Sequence, residues 1–154
     1  MRIYHRTDPG HGWLSVKRQL IEELGISDQI SSYSYQRGER VYLEEDCDAS
    51  LFVEAARAAG MTINIVTTYA DKTPIRGYEC YSPRSYAAWF ATAGSGDSRS
   101  TNAIRFATRA ECDRYALDLL LRWTGASDYD VRPSSDPVNY AIKDDQIVRL
   151  ESAS

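Results

Sequence analysis

Long apolar runs are missing from this chain. No stretch approaches the roughly 18 residues that a membrane-spanning helix needs. The opening residues, Met1-Arg2-Ile3-Tyr4-His5, lack the apolar core of a signal peptide. A cytoplasmic protein is therefore expected. Cysteine is sparse. Cys47, Cys80 and Cys112 lie far apart, and an odd count without a leader argues against a disulfide framework. They are expected as buried free thiols. Zinc sites draw on closely spaced pairs, and only two histidines are present to help, so no metal or other cofactor is expected. Walker, G-x-G-x-x-G, G-x-S-x-G and H-E-x-x-H motifs are all missing. Positive charge is not in excess either. The net charge is −4 and the pI about 5.2. Residues 1–80 carry nine basic and twelve acidic side chains, and residues 81–154 nine and ten. Neither half shows the surplus that neutralising phosphates requires, which disfavours nucleic acid as primary partner.

What is there suits an ordinary folded chain. Of 154 residues, 43% are hydrophobic and 26% charged, the globular range. The pattern predicts a strand at 2–5 and turn chemistry at Asp8-Pro9-Gly10-His11-Gly12. Trp13, Val16, Leu20, Ile21 and Leu24 at helical spacing predict a helix over 13–24, stopped by Gly25. Strands are expected at 31–35 and 40–44, joined by Gln36-Arg37-Gly38-Glu39. A second helix is expected over 48–59, capped by Asp46 or Asp48. Strands at 62–69 and 76–81 follow.

Ser82-Pro83-Arg84-Ser85 reads as a boundary between an N-terminal α+β lobe, 1–82, and a C-terminal ββαββ lobe, 83–154. In the latter, strands are expected at 86–93 and 103–107, around a polar, glycine-rich connector at 94–100. Thr108-Arg109-Ala110-Glu111 is a capping box. It opens a helix over 109–123 with a stripe through Cys112, Tyr115, Ala116, Leu119, Leu120 and Trp123. Strands at 129–132, 138–142 and 146–150 complete the chain, and 151–154 should fray. The fold class is α+β, with antiparallel sheets and about three helices.

Two features suggest a surface for binding. Glu44-Glu45-Asp46-Cys47-Asp48 is the densest charge in the chain. Such acids either favour a helix N-terminus or offer negative charge to a basic partner. Eleven tyrosines and three tryptophans exceed what a small core needs, and tyrosine is favoured at interfaces. Tyr33, Tyr35, Tyr69, Tyr78, Tyr81 and Tyr86 are the candidates. The glycines of Asp8–Gly12 do not form a phosphate loop, and Trp13 is expected in the core.

Resemblances add a setting. The segment from His11-Gly12-Trp13-Leu14 through Ser31-Ser32-Tyr33-Ser34-Tyr35 to Tyr42-Leu43-Glu44-Glu45-Asp46-Cys47-Asp48 resembles uncharacterised small proteins of bacterial phages and mobile elements. So does the segment from Ile104-Arg105-Phe106-Ala107 through Arg122-Trp123-Thr124 to Asp136-Pro137-Val138-Asn139-Tyr140. Small acidic proteins of that setting are often inhibitors of host defence, such as anti-CRISPR proteins. The resemblance implies a non-enzymatic binder in a bacterial host, blocking a protein partner with a basic surface such as a CRISPR effector complex. Glu44, Glu45, Asp46, Asp48, Tyr33 and Tyr35 would form its surface. A second order of residues, His5-x-Thr7, then Tyr33, Tyr35 or Tyr42, then Glu79, resembles small ADP-ribosyltransferases. It implies an alternative in which His5 holds the nicotinamide ribose of NAD and a late glutamate supports bond cleavage. A nucleic-acid-associated phage module is a third reading, which the charge disfavours.

Overall fold

A computed structural model describes residues 1–94 and 96–151. The chain divides into two compact units, residues 1–83 and residue 84 onward. The described residues form three helices and eleven strands, an α+β fold.

The first unit is built on one mixed sheet of six strands. In chain order these are β1 (Arg2–Thr7), β2 (Gly12–Lys17), β3 (Tyr35–Arg37), β4 (Arg40–Glu44), β5 (Asn64–Tyr69) and β6 (Glu79–Cys80). Their order across the sheet is β5-β1-β2-β4-β3-β6. All pairings are antiparallel except β1 with β5. Helices α1 (Arg18–Glu23) and α2 (Ala49–Ala58) cover one face. Ile3, Leu14, Val16, Val41 and Leu43 from the strands meet Ile21, Ile26, Phe52 and Ala56 in one apolar core. Arg18, 1% exposed, is held there by the Ser82 carbonyl and the Gln36 side chain, with its guanidinium 5.1 Å from the Tyr81 ring centroid.

Several expectations need correction in this unit. Residues 13–24 are not one helix, because the first part is β2. From Gly12 to Val16 the strand is buried on both faces, so it lacks strand alternation, and its apolar residues merge with those of α1 into a false helical period. Ser31–Ser34 forms a turn, and only Tyr35 of that segment enters a strand. Residues 76–81 give a 3₁₀ turn at Ile75–Gly77 and then the two-residue β6. Asp48 makes no side-chain cap on α2. Cys47 and Cys80 are exposed, and Cys112 alone of the three is buried.

The second unit carries a three-stranded antiparallel sheet. It comprises β7 (Ser85–Thr92), β8 (Arg99–Thr101) and β9 (Ala126–Ser134), in the order β8-β7-β9. Helix α3 (Arg109–Arg122) packs on it through Cys112, Tyr115 and Ala116, against Tyr86, Ala88, Phe90, Phe106 and Val131. Half of the capping box is made: the Glu111 amide donates to the Thr108 hydroxyl at 3.1 Å, while the Glu111 carboxylate accepts from that hydroxyl and not from the Thr108 amide. The other Glu111 oxygen accepts from the Ile142 amide at 3.0 Å.

Here too the expected strands shift. Residues 103–107 form no strand, only a single bridge from Phe106 to Tyr86. The Arg105 side chain there donates to the carbonyls of Asn102 and Ile104 and to Ser134 and Asp136. The partner strand of β7 is instead β8, which begins inside the expected connector and ends at Thr101, whose hydroxyl donates to the Ala88 carbonyl at 2.7 Å. Strands β10 (Tyr140–Lys143) and β11 (Gln146–Arg149) pair as a separate hairpin and do not extend the β7 sheet. The stripe of α3 is only partly covered: Leu119 and Leu120 are half-buried and Trp123 is 39% exposed. The fraying expected at 151–154 falls, beyond residue 151, outside the described residues. So does Ser95 of the connector.

Candidate functional site

In a sheet, residues paired directly across strands point to the same face, and neighbours along a strand to opposite faces. Applied to the first unit, this sorts the side chains by chemistry. The helix-covered face receives Ile3, Leu14, Val16, Val41 and Leu43. The other face receives Arg2, Tyr4 and Arg6 from β1, and Trp13, Ser15 and Lys17 from β2. From β4 come Arg40, Tyr42 and Glu44, and from β3 Tyr35 and Arg37. The strands thus set five cations and four aromatic rings on one face, with Glu44 as the one carboxylate. That carboxylate is 8% exposed and accepts from the amides of Asp46 and Cys47 at 2.8 and 2.9 Å.

Guanidinium groups lie against rings across this surface. Arg6 sits 5.9 Å from the Tyr4 centroid, Arg37 5.0 Å from that of Tyr78, and Arg76 5.5 Å from that of Trp13. Arg37 also donates to the Tyr78 hydroxyl at 3.2 Å, and the rings of Tyr42 and Tyr78 are 5.2 Å apart. Arg76 is fixed by Asp8, to which it donates twice, at 2.9 and 3.2 Å. Asp8 also accepts from the amides of Gly10 and His11 at 3.0 Å. The Arg76 guanidinium first, and then these amides, hold the Asp8 carboxyl well below the usual carboxylate range.

Two hollows open on the same side. One, of about 300 Å³, is lined by aromatic rings, by Arg76 and by the carboxylates of Glu44 and Asp46, with His11 and Cys47. Trp13 is 2% exposed, and its buried indole N–H has no acceptor among the described residues. Tyr35 meets the indole edge-on at 6.4 Å. The other, of about 400 Å³, is lined by Arg6, Tyr42, Thr68, Tyr69, Lys72 and Tyr78, among others. Both volumes lie in or near the range of small-ligand sites.

The acidic residues expected as a docking surface divide by role. Glu44 faces inward. Asp48 is 3% exposed and accepts from the Ser31 amide, the Ser31 hydroxyl at 2.7 Å and the Ser34 hydroxyl at 2.5 Å. Glu45 is half-buried, 3.2 Å from His5 Nε2, and Asp46 is exposed at the rim of the smaller hollow. Of the tyrosines, Tyr33 is 70% and Tyr69 64% exposed, Tyr35 and Tyr78 are half-buried, and Tyr81 and Tyr86 belong to the cores. The nicotinamide constellation is not assembled. His5 pairs with Leu14, and Leu14 with Leu43, whereas Tyr42 pairs with Ser15. His5 therefore points to the face opposite Tyr42 and Tyr35, and Glu79 lies on the edge strand β6, with three strands between it and β1.

Sequence reasoning missed the cations and Trp13. The signal was nonetheless present, as a period of two in Arg2-x-Tyr4-x-Arg6, Tyr35-x-Arg37 and Arg40-x-Tyr42. Among the described residues no group of three His, Cys, Asp or Glu side chains is placed to hold a metal ion, and no helix is long and apolar enough to cross a membrane. No family model matches the chain, and neither does any curated protein or solved structure.

Proposed function

We propose that this is a non-enzymatic binding protein whose first unit engages its partner through the helix-free face of the sheet. The setting we propose is the one that the sequence resemblance implies: a product of a phage or mobile element that blocks a bacterial defence complex, a CRISPR effector being the first to try. One observation supports the surface. Arg6, Arg37, Arg40, Tyr4 and Tyr42 stand together on a face that no helix covers, and Tyr, Trp and Arg are the residues that contribute most to binding at interfaces. Of the acidic stretch, Asp46 borders this surface, Glu45 lies against His5, and Glu44 and Asp48 serve the fold.

The test is a plaque assay in cells whose CRISPR effector targets the infecting phage. Expression of the protein is expected to restore plaques. The double variant Arg37→Glu/Arg40→Glu, soluble and folded by circular dichroism, is expected to lose that effect. Glu45→Lys/Asp46→Lys should weaken it far less. No restoration by the parent protein rejects the defence setting, and restoration by the Arg37/Arg40 variant rejects the surface.

A further inference from the structure

The charge of the first unit is segregated, and this points to a ligand class. We infer that the helix-free face binds single-stranded nucleic acid, its phosphates on Arg6, Arg37, Arg40 and Lys72 and its bases on the tyrosine rings and in the Trp13 hollow. The inference rests on the surface assigned above and names what that surface holds. A net charge of −4 conceals the face, because many of the unit's acids are elsewhere or already engaged. Glu22 and Glu23 belong to α1 and Glu54 to α2, on the opposite side of the sheet. Glu44 and Asp48 are buried, and Asp8 is tied to Arg76. The carboxylates left near the face are Asp46, Asp71 and Glu39, the last exposed in the turn between Arg37 and Arg40. Facing them are Arg2, Arg6, Lys17, Arg37, Arg40, Lys72 and Arg76, all exposed. Among the described residues, none of Arg6, Arg37, Arg40 and Lys72 forms an ion pair with a carboxylate.

Cations alone would suit any polyanion. The aromatic rings between them select a strand with free bases, since bases stack on such rings whatever their identity. Tyr4, Tyr42 and Tyr78 alternate with guanidinium groups, and guanidinium planes stack on bases as well. The hollow beside them adds a pocket for a base turned out of the strand: Trp13, Tyr35 and Arg76 line it beside Glu44 and Asp46. A duplex offers phosphates but keeps its bases stacked inside, so it would use only the cations.

The test measures anisotropy of a fluorescein-labelled mixed-sequence single-stranded DNA 15-mer with the full chain. Four phosphate contacts predict that affinity falls roughly 50-fold between about 50 and 200 mM salt. Arg37→Ala/Arg40→Ala should weaken binding at least about tenfold at low salt. Tyr4→Ala should cost at least about fivefold, with Tyr4→Phe binding like the parent, since the ring is what stacks. Arg57→Ala on α2 controls for charge alone and should leave affinity unchanged. Three outcomes overturn the inference: no binding, a duplex of the same sequence bound as tightly as the single strand, or face variants that bind like the parent. If the Arg37/Arg40 variant loses plaque restoration while the parent protein binds no oligonucleotide, the ligand class falls and the surface stands. If the variant loses neither, both fall.

Discussion

Asp48 shows how little of a charged side chain's role is visible from its charge. Its carboxylate is buried under Ser31 and Ser34, and the Ser34 hydroxyl in turn accepts from the Glu44 amide at 3.0 Å. Removing the acceptor leaves buried donors without partners, so Asp48→Ala is expected to cost roughly 3 kcal/mol. Asp46→Ala, at an exposed position, should cost almost nothing. Urea melts compare them, and equal midpoints would show that Asp48 does not support the fold. Asp8 links a residue to pH. Its folded carboxyl is held below its ordinary value of 3.8, chiefly by Arg76. A lowered folded value means that Asp8 adds stability above about pH 4 and that this is lost as pH falls further. At pH 7 Asp8→Ala should therefore melt below the parent, and the gap should narrow steadily as the buffer falls below about pH 4. A gap of constant size would show that the Arg76 contact contributes nothing.

At the scale of elements, α3 was legible because its signals are local. A capping box opens it, and apolar residues recur along one side. Local signals gave its limits well but overstated its burial. The fully buried part is the first half, Cys112, Tyr115 and Ala116, while Leu119 is half-buried and Leu121 is 78% exposed. Leu119→Ala should then cost only about 1–2 kcal/mol, below the range for a fully buried leucine. Phe106, 0% exposed although it lies outside any strand, should cost about 3–5 kcal/mol when cut to alanine. Thermal melts of the two variants test this order, and a larger loss for Leu119→Ala would reverse it. β2 and β8 were hidden for opposite reasons. β2 is buried on both faces and shows no alternation. β8 is polar, and its pairing with β7 comes from a distant contact that no window of sequence contains.

At the scale of the whole molecule, the α+β class and the helix count follow from composition and periodicity. The candidate site does not, because it needs the register of four strands. Arg6, Trp13, Glu44 and Tyr35 become neighbours only once β1, β2, β4 and β3 are aligned. Net charge, the quantity that a sequence yields most readily, averages over both faces and hides their difference. The two apolar clusters draw on separate stretches of chain, one within residues 3–81 and the other within 86–142. A fragment of residues 1–83 is therefore expected to unfold cooperatively on heating, with a β-rich far-ultraviolet spectrum. A fragment lacking any transition would show that the first core is insufficient by itself.

The parallel pairing of β1 with β5 also bears on time. Thr7 and Thr68 meet across it although 61 residues separate them. A ribosome adding about 5–20 residues per second takes roughly 3–12 s to cover that distance. Throughout that interval the outer edge of β1 displays unpaired amides and carbonyls, the kind of edge that recruits stray strands. The hairpins of β1 with β2 and of β3 with β4 close over short loops and form early. The newborn sheet thus waits, open on one side, for β5 to arrive, and its exposure to stray strands is confined to that edge and to those seconds.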